Sequence, residues 1–179
     1  MKTLIINGSP RKNGDTSSLI DELKKHLDGE IVTVNTYFDD IKPCVDCRYC
    51  WENVSCTIDD QMQPIYGLLD EVDNVVIASP IYFYELTGSL LSFASRLQCL
   101  WISKSIRKDN IQLKAKKGGI LLAGGGKKFP QKAIETATML LELMNAKVVG
   151  SVCALDTDNV PVDDTALKNT AELANKLSD

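Results

Sequence analysis

Five short apolar runs alternate with five helix-spaced apolar stripes, and this alternation constrains the fold more than any other feature of the chain. The runs are Leu4-Ile5-Ile6, Ile31 to Val34, Val75 to Ala78, Ile120 to Ala123 and Val148 to Val152. Four of the five carry little internal polarity, as strands covered on both faces do. Ile31 to Val34, with Thr33 inside it, reads as the edge strand. Between the runs the spacing becomes helical: Leu19, Ile20, Leu23 and Leu27; Met62, Ile65, Tyr66, Leu69 and Val72; Leu90, Phe93, Ala94, Leu97 and Trp101; Ile134, Ala137, Leu140, Leu141 and Met144; Leu167, Ala171, Ala174 and Leu177. Strand and helix repeated in this order imply an α/β fold, a parallel sheet with helices on both faces.

No repeat, low-complexity tract or linker divides the 179 residues, a length that suits one domain. Residues 1–179 are therefore expected to form a single domain, with a Cys-rich loop at 43–58 between strand 2 and helix 2. Five strands with a ligand-type loop after the first favour a flavodoxin-like three-layer sandwich, sheet order 2-1-3-4-5. In that fold ligands sit beyond the C-terminal strand ends, which points to loops 8–17, 35–60, 79–88 and 123–131.

The first of these loops, "NGSPRKNGDTSS", is neither a P-loop nor Gly-x-Gly-x-x-Gly. It gathers Ser9, Thr16, Ser17 and Ser18 around Arg11 and Lys12, after a strand and before a helix. Such a loop offers hydroxyls and helix N-terminal N–H groups to a phosphate monoester. The plain alternative is an N-capping loop with Thr16 or Ser17 as the cap. The third loop, "ASPIYFYELTGSL", sets Tyr82, Phe83 and Tyr84 in a row after Pro80. Adjacent residues of a strand point to opposite sides, so one core cannot use all three, and a flat aromatic ligand could. Gly124, Gly125 and Gly126 follow the fourth strand and would let a ligand approach the backbone. A phosphate cradle, an aromatic slot and a bare backbone edge match the parts of FMN.

The stretches "GSPRKNGDTSSLI", "KPCVDCRYCWENVSCTIDD" and "VVIASPIYFYELTGSLLSF" resemble the NAD(P)H-dependent FMN reductase family, and particularly its iron-sulfur flavoprotein branch. The resemblance covers residues 1–101 and, more loosely, 120–126. By position it implies that Ser9, Arg11, Asn13, Thr16, Ser17 and Ser18 bind the FMN phosphate and ribityl chain. It implies that Pro80, Ile81, Tyr82 and Phe83 form the isoalloxazine loop, with Gly124, Gly125 and Gly126 at the other edge. It departs from the family at Asp15, where Asn is usual, at Ser95, where an acidic residue is common before Arg96, and in "DDQM" for "DDM".

The expected function is an FMN-dependent oxidoreductase passing electrons from NAD(P)H, as co-substrate, to an acceptor that the sequence does not name. Because the cofactor carries the chemistry, no catalytic side chain is expected. The alternative is an electron carrier working between proteins, a ferredoxin-like protein among them, with no small-molecule substrate. A receiver-like module would need a phosphoacceptor Asp at the third strand end, where Ser79-Pro80 stands. One histidine, His26 on a polar-faced helix, makes a His-based hydrolase a poor fit. A net charge of -4 argues against nucleic acid, and the basic segments 107–117 and 126–128 read as solvated loop charge. No stretch is long enough to span a membrane, so a cytoplasmic protein is expected. Leu91, Cys99, Leu100 and Trp101 add apolar surface beside the third helix's core stripe, which suggests a homo-dimer or tetramer.

Four of the six cysteines, Cys44, Cys47, Cys50 and Cys56, lie within thirteen positions. The spacing Cys-x2-Cys-x2-Cys-x5-Cys is close to the compact ferredoxin run, and thiolate is the soft ligand that a [4Fe-4S] cluster requires. The iron-sulfur flavoproteins that the chain resembles share this spacing. Zinc, disulfides and four free thiols in a loop packed by Trp51 and Val54 are the competing uses. Cys99 and Cys153, on a helix and a strand, are expected to be buried and inert.

Overall fold

The structure is a computed structural model, and it describes residues 1–109, 113–127 and 129–179. Residues 110–112 and 128, which belong to the two basic segments, lie outside the described residues.

The strands are β1 (Lys2–Asn7), β2 (Glu30–Asn35), β3 (Asn74–Pro80), β4 (Lys116–Gly124) and β5 (Ala146–Leu155). They pair in parallel in the order β2-β1-β3-β4-β5. Each apolar run falls inside its strand, and period-two alternation splits it between two cores. Leu4, Ile6, Val75, Ile77, Ile120 and Leu122 face one side, packed against α3 (Met62–Glu71), α4 (Gly88–Ser95) and α6 (Gln131–Leu143). Ile5, Val76, Ala78, Leu121 and Val152 face the other, under α1 (Asp15–Lys25) and α7 (Asp164–Ser178). The result is the expected three-layer sandwich.

Four expectations need correction. β5 is an edge strand as well as β2, because among the described residues nothing pairs beyond it in the sheet. Its apolar run packs on the helices, while Lys147 and Ser151 reach solvent. The third stripe is not one helix: α4 ends at Ser95, α5 (Gln98–Ile102) follows, and a π-helical turn spans Ser103–Arg107. The break tucks Arg96 inward, where it is the largest fully buried side chain among the described residues. A four-residue helix, α2 (Tyr49–Glu52), interrupts the Cys-rich loop. The basic segment 107–117 is not all solvated. Lys116 is buried, and its Nζ donates to the carbonyls of Met144, at 2.9 Å, and Lys114, closing the end of α6. His26 is exposed as expected and bonds Glu22 at 3.0 Å.

Candidate functional site

The C-terminal ends of β1, β3 and β4 open onto one hollow. Ser9, Arg11, Gly14, Asp15 and Thr16 line it from the loop before α1, Pro80, Ile81 and Tyr82 from the end of β3, and Ala123 and Gly125 from β4. Loops nominated separately by the sequence therefore meet. Thr157 and Asp158, after β5, complete the wall. Sequence reasoning missed these two, although the strand-end rule applies to β5 as it does to the other strands.

The start of α1 is left open. Gly14 is the N-cap, in extended conformation, and among the described residues no side chain bonds the first-turn N–H groups. Thr16 and Ser17 do not cap, so the capping alternative fails and the helix end can serve an anion. The hydroxyls differ in position. Ser9 and Thr16 are buried in the wall. Ser17 Oγ donates to the Arg11 carbonyl at 3.1 Å, and Ser18 Oγ donates to the Gly14 carbonyl at 3.2 Å. Neither serine lines the hollow, and Asn13, Phe83, Gly124 and Gly126 do not line it either. The bare edge at Gly125 is occupied from within the chain. A Cβ there would lie 2.1 Å from the Asp158 carboxylate.

The aromatic run makes a tight reversal. Tyr82 and Glu85 exchange both main-chain hydrogen bonds, at 2.9 and 3.0 Å. Between them Phe83 and Tyr84 take φ of 51° and 66°, the left-handed region where glycine or asparagine is the usual residue. Phe83 is 97% exposed, and the Tyr84 ring meets Phe129 edge-on at 5.7 Å. Glu85 ties the turn to α6, accepting from Thr136 Oγ1 at 3.0 Å.

A second hollow lies under the Cys-rich loop. Cys44, Cys47, Cys50 and Cys56 all line it, joined by Arg48, Trp51, Arg96 and Cys99. Among the described residues no three His, Cys, Asp or Glu side chains stand close enough to share a metal ion, so the thiols face one space without converging in it. Burial pushes the Cys50 thiol up, and the neighbouring Cys44, Cys56 and Cys47 push it further. A bound cation would offset that mutual repulsion.

Polar clamps, not apolar packing, hold this loop. Trp51 and Val54 are exposed. Arg96 donates through Nη1 to the Lys42 carbonyl at 2.9 Å and to Asp60 at 2.5 Å, and through Nη2 to the Ile58 carbonyl at 3.2 Å. Ser95 Oγ accepts from the Cys44 N–H at 2.9 Å, and Gln63 Nε2 donates to the Cys56 and Ile58 carbonyls at 2.9 and 2.6 Å. Arg107 Nη1 donates to the carbonyls of Cys50 and Asn53. The carbonyls are thus occupied from outside while the thiols face inward. Arg96 Nε is the one nitrogen of its guanidinium without a hydrogen-bond partner among the described residues. Cys99 is buried as expected, whereas Cys153 is only partly so.

A sheet of this order, with its ligand hollow at the reversal between β1 and β3, defines the flavodoxin-like class. The profile of the NADPH-dependent FMN reductase family matches residues 1–159. The chain is 30% identical to an iron-sulfur flavoprotein of Methanosarcina thermophila, over all of this chain and 94% of that one. It is 28% identical to an iron-sulfur flavoprotein of Archaeoglobus fulgidus, over all of this chain and 80% of that one. In fold it matches an FMN-dependent NADH-azoreductase from Bacillus anthracis, solved in complex with FMN, with a TM-score of 0.72 and 19% identity over the whole of both chains. The chain belongs to the NADPH-dependent FMN reductase family, in its iron-sulfur flavoprotein branch, and is an oxidoreductase. No helix among the described residues is long and apolar enough to cross a membrane.

Proposed function

We propose that this chain holds FMN in the hollow over β1, β3 and β4, takes electrons from NAD(P)H, and carries a [4Fe-4S] cluster on Cys44, Cys47, Cys50 and Cys56. The observation that carries the reading is the pairing of two sites: an open helix end beside an aromatic strand end, and four thiols lining a separate hollow. FMN, when bound, supplies hydride chemistry, and the cluster supplies one-electron capacity.

The chain's own residues bind and orient. The free N–H groups of α1, with Ser9, Arg11 and Thr16, take the phosphate. Pro80, Ile81 and Tyr82 offer a flat wall to the ring, and Phe83 stands at its rim. Asn13, Ser17, Ser18, Gly124 and Gly126 shape the loops around the ligand rather than the wall itself. The polar clamps keep the loop's carbonyls turned away from the thiols, and the left-handed residues Asp46 and Arg48 turn the chain between successive cysteines.

One feature favours the electron-carrier reading as the alternative. Cys47 is exposed, so a cluster on this loop would lie near the surface and within reach of a partner protein. Anaerobic mixing separates the two. Rapid bleaching of the flavin by NADH or NADPH supports the reductase, and bleaching only by a reduced ferredoxin-like protein supports the carrier.

A further inference from the structure

We propose that Arg96 is a cluster-contacting residue: its Nε–H points into the thiol hollow and donates a hydrogen bond to a sulfur of the iron-sulfur cluster, raising the cluster's reduction potential. This inference rests on the cluster assignment proposed above. Three observations support it. Arg96 forms part of the hollow's wall beside Cys44, Cys47, Cys50, Cys56 and Cys99. Its side chain has no exposed surface, and neither has that of its partner Asp60. Its other two guanidinium nitrogens are bonded to Lys42, Asp60 and Ile58, whereas Nε has no partner among the described residues.

A buried N–H of a charged group without a partner is costly, and native structures rarely keep one without a reason. Among the other donors of this loop, Gln63 Nε2 and Arg107 Nη1 are engaged with carbonyls, the Cys44 N–H bonds Ser95 Oγ, and the Asp46 N–H already meets Cys44 Sγ at 3.5 Å. The hollow's wall offers the sulfurs of five cysteines, and none of its other polar side chains, Asp46, Tyr49, Thr57 and Gln98, bonds Nε. A sulfur-rich anion seated there would accept the orphaned N–H. Its charge becomes more negative on reduction, so a fixed donor and a fixed positive charge favour the reduced form. Asp60 holds the guanidinium plane in place through Nη1, which leaves Nε no freedom to seek solvent.

The chain has four arginines, Arg11, Arg48, Arg96 and Arg107, which makes an isotope test possible. The protein is made and purified without oxygen, with arginine labelled in heavy nitrogen, and its iron and sulfide are measured first. Cluster-free protein overturns the assignment on which the proposal stands, and the proposal with it. If the cluster is loaded, pulsed electron paramagnetic resonance of the reduced protein should show a coupled arginine nitrogen. The coupling should persist in Arg48→Lys and Arg107→Lys and vanish in Arg96→Lys, whose midpoint potential should also fall. Should Arg96→Lys not fold, persistence of the coupling in both other variants still assigns it to Arg96, since Arg11 lies at the other hollow. A loaded cluster with no arginine coupling, or a coupling lost with Arg48 or Arg107 alone, overturns the contact.

Discussion

Thr16 and Ser18 are two positions apart in one hydroxyl-rich loop, yet the helix turns them to different tasks. Thr16 is buried in the wall of the hollow over β1, β3 and β4, while Ser18 bonds back to the carbonyl four residues earlier. Thr16→Ala should weaken FMN binding by about 1.5–3 kcal/mol, the worth of a hydrogen bond to a charged group. Ser18→Ala should leave the affinity unchanged, and fluorescence titration of FMN compares the two. Asp15, at the hollow and in the first turn of α1, sets helix stability against ligand charge. Asp15→Asn should tighten FMN several-fold and cost the helix about 0.3–1 kcal/mol, read by the same titration and by thermal unfolding. The residues of the first loop were legible as a group. Their individual roles were not, because each residue turns about 100° around the helix and the phase follows from where the helix starts. That start is Gly14, and the sequence alone offered Thr16 and Ser17 as equally good caps.

At the scale of elements, the Cys-rich loop depends on a buried ion pair. Burial pushes the Asp60 carboxyl up, but the Arg96 guanidinium and the N–H groups of Lys42 and Met62 outweigh it and hold the carboxyl below its usual range. A carboxyl with a depressed folded pKa contributes stability that is present above its unfolded pKa and lost as pH falls through the folded one. Asp60→Asn leaves Arg96 buried and unpaired, so it should cost about 3–5 kcal/mol near neutral pH. The gap between wild type and variant in urea unfolding should narrow as pH falls below the ordinary carboxylate range. The aromatic turn stores strain of a different kind. Replacing Phe83 and Tyr84 by Asn and Gly should relieve about 1–2 kcal/mol per left-handed residue, raise Tm by several degrees and weaken FMN binding. Neither device was legible in full. The sequence showed three aromatics at a strand end but not their backbone sign. It showed Arg96 within an apolar helical stripe, where a charged residue ordinarily faces solvent. The break after Ser95 that turns it inward has no strong local signal, such as Pro or Gly.

At the scale of the whole molecule, the alternation of strand runs and helix stripes was enough to give the layer order, and the strand count with the ligand-type loop after the first strand selected the sheet order from the few unknotted, right-handed solutions. The same alternation could not distinguish β5 as an edge, since apolar residues cover the helix-facing parts of an edge strand as well. It located β1, β3 and β4 as the ligand side, and it missed the contribution of Thr157 and Asp158 from the last strand. The surface carries Trp101, Ile106, Phe83, Tyr84 and Phe129 as exposed apolar groups. The protein is expected to sediment as at least a dimer at micromolar concentration, with Trp101→Ser shifting it toward monomer. The most direct measurement is the flavin, iron and sulfide content of protein made and purified without oxygen. One FMN with about four iron and four sulfide per chain, the metal lost and the flavin kept in Cys47→Ala, is the predicted result. Protein with neither flavin nor iron, which takes up no FMN when it is supplied, would contradict the account.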